Sequence, residues 1–385
     1  MSNWIVDMDP GCLFGIDSRK QTGKKIKELG AAKVLLITDA TMKQLGHTDE
    51  MAGILREAGL EVVAYQPETR EPTSTMVNVC RDFAVEHGID GIVGLGGGAV
   101  MDITKATGKL LANGGNLEDY LGYDKRKPYK RFSPIICLPT TAGTGAEINS
   151  GISIFNDVLQ KKGNTLHPAT LAITDPYYTF TLPKKLTALT GLDALAHATE
   201  TLCNSEHITN WMSDTLAKEA VSLIFKWLPA AYETGDQEAR AWMCYAAELA
   251  GWAIKMRKTT FGHAVGHRFA NEYHWPHGLC CSLGLAAVVR YNVTGNPYAT
   301  RILAGCLGID CPADADMVEV GRKVVEKYDA LQKLCEMPTM KSLGVPESFI
   351  DFLKEDVSKD TKWAIVPNPP DFDLMAQALR ESYDY

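Results

Sequence analysis

Apolar positions in the first half of the chain come in short runs. Lys33–Thr38 reads KVLLIT, Glu61–Tyr65 EVVAY, Gly91–Gly98 GIVGLGGG and Pro134–Thr140 PIICLPT. Such compact, β-rich runs are the pattern of strands buried on both faces. Between them, Thr48–Ala58 and Thr75–Glu86 are patterned as helices. Strand–helix alternation at this spacing predicts a parallel sheet with helices on its faces. The texture changes after about Pro183. Long amphipathic stretches such as Leu216–Trp227 and Glu238–Ile254 follow, with Gly and Pro as punctuation, as in GIDCPAD. The predicted organisation is an α/β unit over residues 1–180 and an all-helical unit over 181–385. No internal repeat or low-complexity segment interrupts it.

Length and composition fit this division. A chain of 385 residues is long for one domain and comfortable for two. A net charge of −8 argues against nucleic acid or an anionic membrane as main partner, since both want basic surface. No apolar run reaches the roughly 18 residues of a transmembrane helix. Asp7 and Asp9 stand where a signal peptide needs a basic and then an apolar stretch, so a cytoplasmic protein is expected. None of the ten cysteines forms a CxxC pair, and several lie inside apolar runs. They read as buried reduced thiols rather than a zinc knuckle or a catalytic thiol.

Three segments carry candidate nucleotide chemistry. Gly94–Lys105, GLGGGAVMDITK, ends a strand in three glycines and opens a helix. Glycine lets a backbone approach a pyrophosphate closely, and the helix then points its free N–H groups at that anion. Pro139–Glu147, PTTAGTGAE, also follows a strand. Its Thr140, Thr141 and Thr144 have hydroxyls for phosphate or ribose oxygens; a polar turn with a Thr cap is the plainer reading. Asp39 ends the strand in LLITDA. A carboxylate there can accept from both adenosine ribose hydroxyls and repel a 2′-phosphate, although Asp is also a good helix N-cap.

A second constellation suits a metal. Four of the nine histidines, His263, His267, His274 and His277, fall within Gly262–Gly278. Upstream, GLDALAHATE places Asp193 and His197 at i and i+4, one turn apart on one helix face. His263 and His267 share that spacing. A mixed carboxylate–imidazole set suits Fe(II) or Zn(II) rather than Mg(II) or Ca(II).

With these residues in place, the chain resembles the iron-containing (group III) alcohol dehydrogenase family over almost its whole length. Ala172–Glu200, AITDPYYTFTLPKKLTALTGLDALAHATE, fits the family's long signature, in which Asp175, Pro183, Asp193 and Glu200 fall at set distances. GGGAVMD and PTTAGTGAE fit its cofactor segments. The resemblance implies the dehydroquinate synthase-like fold: an N-terminal Rossmann-like dinucleotide-binding domain and an all-α metal-binding domain. It implies Asp193, His197, His263 and His277 as ligands of Fe(II), or Zn(II), and His267 as a proton-relay group near substrate and nicotinamide. Gly97, Gly98, Thr140 and Thr144 would hold the phosphates and nicotinamide ribose, and Lys162 would reach that ribose. Asp39 would favour NAD. The implied reaction interconverts a small primary alcohol and its aldehyde. The metal acts as Lewis acid and a hydride passes to or from the nicotinamide. A homodimer or larger homo-oligomer is expected. A dehydroquinate synthase-type lyase, which also pairs NAD with a metal, and a non-catalytic metal or nucleotide binder are the other readings.

The resemblance has departures. His267-Arg268-Phe269-Ala270 stands where the family usually reads HPLG, Trp275 replaces an aliphatic residue or Thr before Pro-His-Gly, and the loop at Lys161–Ala169 is about three residues shorter than in close relatives. Lys255, Arg257 and Lys258 precede His263 in a segment that is usually apolar, and Arg268 adds a fourth basic group. Basic groups beside a cation need an anion to balance them. A break near Thr259–Gly262 would turn them inward, toward a substrate with an anionic tail such as a semialdehyde or a sulfo- or phosphono-aldehyde.

Overall fold

The computed structural model describes residues 8–67, 71–122, 129–204, 210–359 and 371–385; Asp7 of the N-terminal reading lies outside them. The chain divides into two compact units. One comprises Met8–Thr141 with Gly145–Phe180, the other Ala142–Thr144 with Thr181–Tyr385.

In the first unit the strands are β1 (Gly11–Phe14), β2 (Lys33–Thr38), β3 (Glu61–Tyr65), β4 (Gly91–Gly96), β5 (Ile135–Pro139), β6 (Gly151–Asn156), β7 (Lys161–Leu166) and β8 (Leu171–Thr174). Six of them form a sheet in the order β1-β8-β5-β4-β2-β3, every pairing parallel. β6 and β7 form a separate antiparallel hairpin. The helices are α1 (Thr22–Glu28), α2 (Ala40–Gln44), α3 (His47–Glu57), α4 (Ser74–Glu86) and α5 (Gly98–Asn113). Alternate strand residues serve opposite faces. Leu35, Ile37, Ile92, Ile135 and Cys137 pack with Val77 and Cys80 of α4 and Ile103 and Ala106 of α5. Val34, Leu36, Val93, Leu95 and Ile136 pack with Ile26 of α1 and Met51 and Leu55 of α3. Burial on both faces explains why β2, β4 and β5 are nearly unbroken apolar runs. β1, β6, β7 and β8 gave no such pattern. β1 is a half-exposed edge strand, GCLF, and β7, KKGNTL, is mostly polar.

The second unit consists of α6 (Lys184–Leu202), α7 (Trp211–Glu233), α8 (Gln237–Met256), α9 (Phe261–Tyr273), α10 (His277–Gly295), α11 (Pro297–Cys306), α12 (Met317–Leu334), α13 (Ser348–Val357) and α14 (Phe372–Glu381). α6 and α10 run through the middle of its core, buried along nearly their whole length. No helix among the described residues is long and apolar enough to cross a membrane.

Glycines set how closely three of these helices approach. A Cβ on Gly278 of α10 would lie 2.4 Å from the Leu189 carbonyl oxygen of α6. A Cβ on Gly284 of α10 would lie 2.3 Å from the Gly262 carbonyl oxygen of α9. Neither obstacle is a flexible side-chain end, so backbone would have to move. Gly284→Ala is therefore expected to push α9 and α10 apart and to destabilise the protein by about 1–3 kcal/mol, as overpacking does. An equilibrium urea titration reads this as a lowered midpoint. An unchanged midpoint contradicts so close a helix crossing.

Candidate metal centre and cofactor segment

In the α/β unit the chain leaves β2 toward β3 on one side, while β4 lies on the other side of β2. Strand order thus reverses between β2 and β4, and ligands of open α/β sheets bind beyond the carboxyl ends of strands at such a point. Asp39 follows β2 and Gly97 follows β4. Asp39 caps α2: its Oδ1 accepts from Met42 N at 3.0 Å. Its other oxygen lies 3.2 Å from where a Cβ on Gly96 would stand, so the carboxylate faces the glycine turn. Cap and ribose acceptor are compatible roles, one for each oxygen.

The glycines of the turn differ in what they serve. Gly94 and Gly96 are needed by the protein, since a Cβ would strike Thr104 at 2.3 Å or Val100 at 2.5 Å. At Gly97 a Cβ would meet nothing nearer than Thr141, at 3.7 Å, and φ is −77°. Packing and backbone both permit a side chain there. An open place at the start of α5, with Gly98 as its first residue, is what a pyrophosphate approaching a helix N-terminus requires. Thr140 N donates to Gly96 O at 3.0 Å, which ties the PTTAGTG segment to the end of β4. Lys105 anchors the chain beyond: its buried ammonium donates to Ala146 O at 2.8 Å, Asn149 O at 3.2 Å and Gly151 O at 2.6 Å. Thr141 remains with this unit, whereas Thr144 belongs to the helical one. Lys162 sits on β7 and pairs with Glu71 at 3.0 Å.

In the helical unit three helices converge on one point. α6 carries Asp193 and His197, α9 carries His263 and His267, and α10 opens with His277. Asp193 Oδ1 lies 3.9 Å from His263 Nε2 and 3.6 Å from His277 Nε2. Both separations exceed a hydrogen bond. Two donors about 2.1 Å from one tetrahedral cation stand about 3.4 Å apart, so the spacing approaches that of a ligand set. His197 stacks on His263, with ring centroids 4.6 Å apart. Asp193 Oδ1 and His263 Nε2 are buried and find no hydrogen-bond partner among the described residues. Such orphaned atoms are costly, and a cation among them removes the cost for those that face it. The donors therefore fit a divalent N/O-liganded metal. His277 is the open side, with its side chain 35% exposed against 3% for Asp193. A catalytic metal needs one accessible position of this kind.

Electrostatics agree with ligand chemistry. Burial pushes the Asp193 carboxyl up, but His197, His277 and His263 together outweigh it and hold the group below its ordinary range. Burial lowers His197, against the opposing pull of Asp193. A carboxylate and a neutral imidazole are the forms that bind a metal.

Two residues in the site escaped the sequence reading. Glu200, recognised only as part of the signature, lies fully inside, and its Oε1 pairs with His263 Nδ1. Its Oε2 accepts from Thr260 N at 2.5 Å, Thr260 Oγ1 at 2.9 Å and His263 N at 3.3 Å. One carboxylate thus caps the start of α9 and fixes the His263 tautomer, leaving the Nε2 lone pair facing Asp193. The i, i+7 spacing of Asp193 and Glu200 on one helix was the available signal. The other is Cys281, one turn after His277. Its Sγ lies 3.4 Å from His277 Nε2. One donor atom from each of Asp193, His263, His277 and Cys281 falls within 4.8 Å of all the others, a group that does not include His197. All ten cysteines are free thiols and seven are buried, as expected, but this one is not surrounded by apolar groups alone.

The remaining histidines and the basic residues take varied places. The His267 ring is 5.9 Å from that of His277 and 6.4 Å from that of His263. His274 is exposed and ends α9 in the left-handed conformation. The expected break is present, between Met256 and Phe261, and it does turn Arg257 inward. Its counter-ion is a protein carboxylate: Arg257 Nη1 lies 3.0 Å from Asp214 Oδ1, and Nη2 donates to Asn210 O at 3.1 Å. Arg268 donates from Nε to Asp356 at 2.8 Å. The balancing anion expected from a substrate is thus supplied to both arginines by the chain itself. The Lys255 ammonium lies 5.3 Å over the Trp252 ring, and Lys258 is exposed.

Glu200→Gln tests the support of His263. It keeps an acceptor but loses the charge that strengthens the imidazole as a donor. Metal affinity is expected to fall about 10- to 100-fold, measured by competition with a chromophoric chelator. Unchanged affinity contradicts the assigned role.

Comparison with known proteins agrees with this geometry. Residues 10–176 match the family described as iron-containing alcohol dehydrogenase, and residues 187–383 match its C-terminal family. Choline dehydrogenase of Bacillus subtilis (strain 168) is 33% identical over 351 residues, covering 90% of this chain and 87% of the relative. NAD-dependent methanol dehydrogenase of Bacillus methanolicus is 30% identical and covers 99% of this chain and 100% of its own. The crystal structure of sulfoacetaldehyde reductase from Bifidobacterium kashiwanohense in complex with NAD+ superposes with a TM-score of 0.87 at 26% identity, covering 100% of this chain and 99% of that one. With both halves matched and full-length relatives at this identity, the chain belongs to the iron-containing alcohol dehydrogenase family.

Proposed function

We propose that this chain is an NAD(H)-dependent oxidoreductase that interconverts a small primary alcohol and its aldehyde, with residues 1–180 binding NAD and 181–385 holding the metal. The observation that carries the reading is the convergence of Asp193, His263 and His277, in which Asp193 Oδ1 and His263 Nε2 are buried without a hydrogen-bond partner among the described residues. Asp193, His197, His263 and His277 hold Fe(II), with Zn(II) as the substitute. A divalent cation in such a site supplies Lewis-acid polarisation of an oxygen. Glu200 keeps the His263 lone pair aimed at the cation. His267, one turn from His263 on α9, takes or returns the hydroxyl proton. Gly97, Gly98, Thr140 and Thr141 of the α/β unit, with Thr144, hold the phosphates and ribose, and Lys162 takes the nicotinamide ribose once released from Glu71. Asp39 selects NAD over NADP through the repulsion of a 2′-phosphate. The protein works in the cytoplasm as a homodimer or larger homo-oligomer.

The substrate tail is neutral in this reading, because Arg257 and Arg268 already have carboxylate partners. An anionic tail is the second reading, favoured by the whole-length likeness to a sulfoacetaldehyde reductase and by Lys255 and Lys258.

One assay separates these. NADH oxidation by metal-loaded protein is followed with propanal, butanal, succinic semialdehyde and sulfoacetaldehyde. Turnover of at least one aldehyde is expected, with neutral aldehydes at equal or higher kcat/KM. Preference for the anionic pair supports the second reading. No NADH turnover with any aldehyde contradicts the dehydrogenase and leaves the lyase. In Asp39→Gly the NADPH-to-NADH ratio of kcat/KM should rise about tenfold or more. A wild type that already prefers NADPH refutes the role of Asp39.

A further inference from the structure

We propose that Cys281 is a sulfur ligand of the metal in this chain, and that it draws the site toward zinc. The inference rests on the metal-centre reading above and refines its ligand set.

Four observations carry it. First, Cys281 Sγ belongs with Asp193, His263 and His277 to one group of donor atoms within 4.8 Å of each other. Second, the distance from Sγ to His277 Nε2 is 3.4 Å. A thiolate about 2.3 Å and an imidazole about 2.1 Å from one tetrahedral zinc stand about 3.6 Å apart, so a spacing that lets the thiol hydrogen-bond to the ring also admits the two as co-ligands. Third, the buried Asp193 Oδ1 and His263 Nε2 in the same group find no hydrogen-bond partner among the described residues. Fourth, the chain has an internal control in the next-door thiol. Cys280 turns away and donates to the Trp275 carbonyl oxygen at 3.6 Å, the ordinary use of a buried S–H. Cys281 also has a hydrogen-bonding partner, but that partner is His277, itself a member with Asp193 of the donor group. His277 and Cys281 are i and i+4 on α10, so helix geometry puts both on the face turned to α6 and α9.

The chemistry balances without electron transfer. As a cation enters, the S–H bond breaks, its electron pair forms the sulfur–metal bond, and the proton leaves to water. The set becomes one carboxylate oxygen, the imidazole nitrogens of His263 and His277 and one thiolate. Soft thiolate donors favour zinc over the harder ferrous ion. His197, outside this group and stacked on His263, becomes the exchangeable member: it coordinates when the sulfur does not.

The test is X-ray absorption at the zinc edge on full-length, zinc-loaded wild-type protein, with metal content determined on the same sample. The expected result is one zinc per chain with one sulfur scatterer at about 2.3 Å beside nitrogen and oxygen at about 2.0–2.2 Å. One zinc per chain with a shell of nitrogen and oxygen alone overturns the sulfur ligand and leaves the metal centre intact. Failure to hold zinc or iron overturns both. Cobalt-loaded Cys281→Ser provides the second readout. Its tetrahedral visible bands should remain while the near-ultraviolet sulfur-to-cobalt charge-transfer band of wild type disappears. Retention of that band in the variant also refutes the assignment. If Cys281→Ser does not fold, the wild-type zinc spectrum decides.

Discussion

The helical unit is organised around charge taken out of water. Asp193 and Glu200 both lie inside, on one face of a 19-residue helix. An isolated carboxylate in such a place is prohibitive, so each must be matched. Glu200 is matched by the protein: it takes the free N–H groups at the start of α9 and the far nitrogen of His263. Asp193 is only half matched. Its Oδ1 looks at two imidazole nitrogens that stand too far off to hydrogen-bond. Helices must come unusually close to bring these groups together, and Gly262, Gly278 and Gly284 permit it. Packing and chemistry are therefore one problem: the glycines that let α9 and α10 approach also set the distances between the proposed ligands.

The α/β unit solves a different problem with similar means. Gly94 and Gly96 are glycine because α5 and its first side chains pack against β4. Gly97 is glycine where the protein has no such need. The distinction separates glycines that packing requires from one that it does not, and it falls at the reversal of strand order where nucleotides bind in this architecture. Lys105 supports the arrangement from below by collecting three carbonyls of the segment that leads to the β6–β7 hairpin.

Much of this was legible in the sequence, and the failures have physical causes. β2, β4 and β5 announced themselves because both faces are buried. β1 and β7 did not, because an edge strand and a polar hairpin carry no apolar run. Asp193, His197, His263 and His277 stood out through i, i+4 spacing and clustering. Glu200 acts two turns from Asp193 on the same helix, but its role depends on where α9 begins, which spacing does not encode. Cys281 was hidden among ten thiols, since composition favours burial and only three-dimensional placement distinguishes it from Cys280. The basic run before His263 was read as charge needing an anion from the substrate, with a break near Thr259–Gly262; the helices part at 257–260, and for Arg257 the anion comes from the chain instead. The anion is Asp214, more than forty residues away in the chain and invisible to local reasoning.

Metal content of the purified chain tests the central claim most directly. Protein loaded anaerobically with Fe(II), or with Zn(II), is passed through gel filtration, and the bound metal is measured for wild type and Asp193→Ala. One tightly held divalent ion per folded chain in wild type and almost none in folded Asp193→Ala is the expected result. A folded wild type that holds no metal, or an Asp193→Ala protein that holds it as well as wild type, contradicts a metal centre at the meeting point of α6, α9 and α10.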